Sequence, residues 1–277
     1  MIYIRSGWSL IKNQLPSIII LFLYQLLWGL FLYRLVNSVV TEVLVRYPDP
    51  PPNMLSQALF LLEGQYELKH SPDIRLYLGM LLGMALIRLL VTPLFQAGIL
   101  YGLMPKEERK SGLSLFRGMK EFRKPVFFFL FIELILISLP LLWILPHVQG
   151  LLPDILRSGT IQITPILKMS AVLLAWMIYC WLIDQISLFA QFGYLFKKGL
   201  WGSILIGIRY VLPGAGISLL LGAFALILFL IFGTVSWIWT GILALILQQS
   251  YPFIRSLFRV WEVTSQYQLW EMKSQKS

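Results

Sequence analysis

Three ionisable side chains interrupt runs of sequence that otherwise carry no charge: Arg88 within Leu76–Pro105, Glu133 within Val126–Pro146 and Asp184 within Met169–Phe196. Each run is long enough to cross a bilayer as a helix. A charge near mid-bilayer costs at least about 2.5–3.5 kcal/mol, so such a residue faces protein or a cavity and not lipid. Arg88 stands ten residues before Gly98 and Asp184 nine before Gly193, in stretches that align with each other. The two charges are opposite and share nearly one depth, so an Arg88–Asp184 pair is expected. Glu133, eight residues after Pro125, is the second-choice partner, about 10 Å nearer the cytoplasmic side. Three readings of these charges stand open: a buried pair that fixes helix packing, a proton- or substrate-coupled site, or an arginine that snorkels. Gln96 and Gln191 fall at matching levels and are expected to hydrogen-bond across helices, a link of roughly 0.6–2 kcal/mol in lipid.

Signatures of catalysis do not accompany these residues. His70 and His147 lie in separate loops with no cysteine or paired carboxylates nearby, so neither a metal nor any other cofactor is expected. There is no His-Glu-x-x-His motif, no Gly-x-Ser-x-Gly elbow and no phosphate-binding loop for ATP, which leaves no nucleophile or ATPase engine to assign. Lipid phosphoryl transfer would need several acids on one face to hold a divalent ion. Glu133 and Asp184 alone do not supply them. The lone cysteine, Cys180, permits no intrachain disulfide.

The elements that hold these side chains follow from hydropathy. Of 277 residues, 58% are hydrophobic and 13% charged, against roughly 45–50% and 25% in soluble domains. Spanning about 30 Å of hydrocarbon takes roughly 20 helical residues. Asn13–Tyr33 supplies one uncharged run, and Tyr210–Ile254 stays uncharged for 45 residues, about 67 Å as helix, so it must fold back. The turn is expected near Gly233–Ser236. The fold class is therefore all-α: a single polytopic membrane domain, residues 1–277, with six transmembrane helices at about 16–34, 75–104, 125–146, 167–196, 211–233 and 236–254. Arg5 and Lys12 precede the first span much as in a signal sequence, but no small-residue cleavage site follows, and the span is read as retained.

The net charge of +10 is read as topology and not as nucleic-acid binding. Segments 1–15, 105–124, 197–209 and 254–277 together hold sixteen lysines and arginines, and the opposite side holds six. Basic residues favour the cytoplasm, which places both termini there, in the plasma membrane of a bacterium. The outer loops are then 35–74 and 147–166. In the first, Pro48–Asp49–Pro50–Pro51–Pro52 is an extended connector, Asn53–Leu62 suits a short surface helix, and Ser71–Pro72 reads as the cap and first residue of the second span. In the second, a turn of helix is expected around Pro153–Arg157.

A weak internal repeat links the halves. Leu94–Tyr101 aligns with Phe189–Phe196, and Gly112–Phe116 aligns with Trp201–Leu205, bringing Gly118 opposite Gly207. Amphipathic linkers follow. Leu115, Phe116, Met119 and Phe122 form one stripe, while Arg117, Lys120, Arg123 and Lys124 take the other face and are the expected contacts to anionic lipid headgroups. Ile4, Trp8, Ile11 and Leu15 make a similar stripe near the start, expected in the headgroup layer. Ser203–Tyr210 is so apolar that it reads as a continuation of the fifth span.

In its span order, in the glycine two residues after Gln96 and Gln191, and in these linkers, the chain resembles a loose group of bacterial six-helix membrane proteins. That group includes the membrane domain ahead of the catalytic part of some glycerophosphodiester phosphodiesterases. No soluble domain follows the last span here, so the resemblance carries over no hydrolase activity. The resulting expectation is a non-catalytic membrane partner or scaffold whose basic cytoplasmic face docks lipid or another membrane or cytoplasmic protein. The alternative is a transporter or permease subunit that uses Arg88, Asp184 and Glu133.

Overall fold

The computed structural model describes residues 2–12, 14–46, 72–105, 113–157, 163–239 and 242–275. Among them every regular element is a helix: α1 Ile2–Lys12, α2 Leu15–Arg46, α3 Pro72–Tyr101, α4 Ser114–Glu121, α5 Arg123–Arg157, α6 Ile163–Leu195, α7 Leu200–Arg209, α8 Val211–Ile238 and α9 Ile242–Ser274. Five are long and apolar enough to cross a membrane, over Leu15–Ser38, Leu76–Tyr101, Arg123–Val148, Leu167–Leu195 and Val211–Ile238. This points to a multi-pass membrane location. Helices are the natural solution there, because a helix satisfies its backbone hydrogen bonds within one segment.

The chain divides into two compact units, 1–18 with 93–277, and 19–92. The smaller comprises most of α2 and the first two-thirds of α3. Within it Tyr24 and Trp28, one turn apart, meet edge to face at 6.1 Å, and the Thr92 hydroxyl donates to the Arg88 carbonyl at 2.7 Å. α3 begins at Pro72, where a missing N–H costs nothing.

In the larger unit α5 and α6 run antiparallel, registered by Phe129 against Tyr194 and by the Tyr179 hydroxyl donating to the Leu136 carbonyl at 3.0 Å. α8 and α9 form a second antiparallel pair. Phe229 meets Tyr251 at 5.0 Å and the Gln266 amide donates to the Ser218 hydroxyl at 2.9 Å, so residues 251–270 of α9 run beside the apolar body of α8. The α9 face that achieves this is Ser256, Val260, Val263, Tyr267 and Trp270, all buried and spaced alternately by four and three, the spacing of a packing seam. Arg255 and Arg259 point outward. The expected end of the sixth span at residue 254 is thus corrected: the apolar run stops there, but the packed helix continues. Its charges sit on the unpacked face and so do not interrupt the seam.

α5 carries helix on to Arg157, which includes the turn expected around Pro153–Arg157, while the apolar spans end at Val148 and resume at Leu167, close to the expected interval 147–166. Three other expectations need correction. α2 continues to Arg46, twelve residues past the expected end of the first span. α8 continues to Ile238, since one glycine inside a helix costs only about 1 kcal/mol against alanine and does not end it. α7 is a helix of its own, ended by Tyr210 in a non-helical conformation, and not an extension of α8. The loop features expected within 47–71 lie outside the described residues.

α1 also departs from expectation. Its Gly7 and Ile11 are buried against α9, Trp8 stacks on Trp261 at 4.6 Å, and the Trp261 indole donates to the Ile4 carbonyl at 2.9 Å. A Cβ on Gly7 would fall 2.9 Å from the Ser265 backbone nitrogen. α1 is therefore a packed helix and not one that only floats among headgroups.

Candidate functional site

Close approach of helices assembles the polar interior of the larger unit. A Cβ on Gly118 of α4 would lie 2.7 Å from the Ala97 carbonyl oxygen and 2.7 Å from Gly98 Cα of α3. At the aligned place in the second half, Gly193 of α6 abuts Ser203 of α7, and its Cβ would lie 2.5 Å from the Gly199 carbonyl oxygen. Lipid gives no hydrophobic drive to bring helices together, so small residues and interhelical hydrogen bonds supply the association.

Between these contacts lies a hydrogen-bonded chain through three helices. Gln96 Nε2 donates to Gln191 Oε1 at 3.0 Å, Gln191 Nε2 donates to Ser187 Oγ at 3.4 Å, and Ser187 Oγ donates to Glu133 Oε2 at 3.1 Å. Gln191 is buried, while Glu133, Ser187 and Asp184 are half-buried. Glu133 also feels the charges of Asp184 and of Arg259. Four of the five expected polar residues, Gln96, Gln191, Glu133 and Asp184, thus gather around one stretch of α6. Arg88 belongs to the smaller unit and is exposed.

A second chain uses the other side of α6. Gln185 Nε2 and Gln266 Nε2 both donate to Ser218 Oγ, at 3.2 and 2.9 Å. The buried Trp270 indole donates to Ser203 Oγ at 3.0 Å, and Trp270 packs with Phe192 and Phe196 at 5.6 and 5.8 Å. Sequence reasoning missed Ser187, Gln185, Ser218, Gln266 and Arg259. Ser187 could have been found, since Asp184, Ser187 and Gln191 recur at three and four residues and so share one helical face. Gln266 and Arg259 could not be found while 254–277 was read as a tail.

The expected headgroup residues flank this core. Lys120, Arg123 and Lys124 are exposed and Arg117 is half-buried. The stripe opposite them is split: Leu115 is buried and Phe122 meets Tyr101 at 5.5 Å, but Phe116 is exposed beside Lys120. Among the described residues no group of three or more metal-ligating side chains occurs. What the arrangement can do chemically is hold protons and hydrogen bonds between helices.

Comparison with known protein families, curated proteins and solved structures finds no match to this chain.

Proposed function

We propose that this protein is a non-catalytic multi-pass scaffold of a bacterial plasma membrane, with cytoplasmic termini and a basic cytoplasmic face that docks anionic lipid or a partner protein. One observation carries the reading: the interior amides and hydroxyls of α3, α5, α6, α8 and α9 bond to one another while lysines and arginines at the ends of the same helices remain exposed. Polar side chains that bond to one another across helices hold the helices together, and the exposed cations are left for partners. Moving Arg255 and Arg259 out of the cytoplasmic tail leaves fourteen basic residues against six, so the asymmetry behind the orientation persists. Six spans are part of this reading, with α9 as the sixth. So is the internal repeat, which is supported by the close approach of Gly98 to the helix that follows it at Leu115 and of Gly193 to the one that follows it at Ser203, one position apart in the alignment.

A second reading, a transporter or permease subunit using Arg88, Asp184 and Glu133, draws on the two half-buried carboxylates near one another at span depth. One experiment separates the two. In a chain with Cys180→Ser and Ser187→Cys, a membrane-impermeant maleimide applied to either face of sealed vesicles is expected to leave position 187 unmodified. Rapid labelling would mean that water reaches the network, and the scaffold reading would give way to the permease.

A further inference from the structure

α7 is too short to cross a bilayer, yet it connects α6 to α8, both of which are long and apolar enough to do so. One of its faces is packed: Ser203, Ile206 and Gly207 are buried. The opposite stripe, Trp201, Leu205, Ile208 and, at the start of α8, Leu212, is 77%, 65%, 55% and 84% exposed. The spacing of four and three keeps Trp201, Leu205 and Ile208 on one line. Tyr194 near the end of α6 and Leu219 of α8 are exposed as well, so the spans on both sides of α7 present apolar surface that calls for the same cover. That cover is lipid.

Cations collect along the same edge. Lys197 and Lys198 form the turn before α7, closed by Lys198 N–H donating to the Gly193 carbonyl and Lys197 N–H to the Tyr194 carbonyl. Lys198 Nζ lies 5.2 Å from the Trp270 ring centre and donates to Ser274 Oγ at 3.2 Å. Lys273 Nζ and Arg209 Cζ lie 4.6 and 5.9 Å from the ring centre of the same residue, Tyr210. Aromatic rings therefore hold Lys198 at the start of α7 and Arg209 and Lys273 at its end, along the edge where α7 meets the end of α9. Among the described residues the ion pair is Arg259–Glu262, and none of these cations takes part in it. Residues 196–210 contain no acid. Glu271 near the end of α9 supplies one negative charge and the ends of α6 and α9 about half an elementary charge each, so the three cations remain in excess.

We infer that Lys198, Arg209 and Lys273 form a basic edge that takes the headgroup phosphates of anionic phospholipids, with the acyl chains lying along Trp201, Leu205 and Ile208. The inference rests on the proposed basic face and names its partner there. An interfacial helix with an apolar stripe and a basic edge has the character that selects an anionic leaflet.

The test is native mass spectrometry of the full chain in mild detergent, offered phosphatidylglycerol or phosphatidylcholine with identical acyl chains. The wild type is expected to retain phosphatidylglycerol in preference. A triple variant, Lys198→Gln with Arg209→Gln and Lys273→Gln, should lose that preference by at least about tenfold, since each basic residue near an anionic surface contributes about fivefold. Lys198→Arg with Lys273→Arg should keep it, which guards against a mere folding defect. If instead the triple variant keeps the preference and Lys120→Gln with Arg123→Gln and Lys124→Gln loses it, the site is wrong and the basic face stands. If the wild type shows no preference, both fall. A nitroxide at position 205, in a chain with Cys180→Ser, should be reached by oxygen more than by a water-soluble nickel complex in phosphatidylglycerol vesicles. The reverse order would remove α7 from the lipid.

Discussion

Gln14 is a side chain whose burial runs against its chemistry. It is fully buried beside Gly102, and neither its amide nitrogen nor its oxygen has a hydrogen-bond partner. An unpaired buried amide costs roughly 1–3 kcal/mol, whereas Gln96 and Gln191, of the same type, offset that cost by bonding to each other. Gln14→Met keeps the unbranched shape and removes the polar end, so it is expected to stabilise the protein by about 1 kcal/mol. Thermal melting in detergent checks this. A lowered midpoint would mean that the amide has a partner in the membrane-embedded protein. The glutamines at 96 and 191 were legible in the sequence because they occupy aligned positions two residues before a glycine. Ser187, which joins them to Glu133, carried no such mark: a serine acquires meaning only once the helix facing it is known.

At the scale of the element, α9 decides the most. Hydropathy ends the sixth span at Ile254, and a chain stopped there would then lose only a tail. The structure makes residues 255–274 the surface against which α1, α6, α7 and α8 pack, with Trp270, Leu269, Thr264 and Val260 among the most deeply buried residues of the protein. A chain ended after Ile254 is accordingly expected to give no monodisperse protein in detergent. Trp270→Ala alone should cost about 3–5 kcal/mol, the range for a buried aromatic truncated to alanine, and should lower the thermal midpoint more than any exposed tryptophan variant such as Trp201→Ala. Full-length-like melting of the shortened chain would return 255–277 to the status of a tail. The cue lay in the sequence at 256, 260, 263, 267 and 270, but charge counting hid it. That procedure sums residues along the chain and does not ask which face of the helix each one occupies.

At the scale of the whole molecule, the proposed orientation rests on charge. A reporter fused after Ser277, or placed within Lys106–Lys110, is expected to be active in the cytoplasm, and one inserted between Pro48 and Asn53 to be active outside. The expectation holds with α9 extended, because an even number of spans keeps both ends on one side and the basic residues still favour that side. Reporter activity on the outside for the fusion after Ser277 would overturn both the orientation and the count of six spans.

The helical class and the membrane location could be read from the sequence alone. They depend on sums: length of apolar run, number of charges and their sides, quantities that need no knowledge of neighbours. The approximate level of Gln96 and Gln191 was legible for a related reason, since position along a helix is a matter of counting residues. Tertiary structure alone decided which side chains meet. Glu133 reaches Ser187 because α5 and α6 run antiparallel in one register, and α9 lies inside because Ser256, Val260, Val263, Tyr267 and Trp270 share a buried face while Arg255 and Arg259 stay exposed away from it. In lipid these choices are made by close packing and by directional hydrogen bonds and not by hydrophobicity. Such interactions depend on atoms from two helices at once, so neither sequence segment could reveal them by itself.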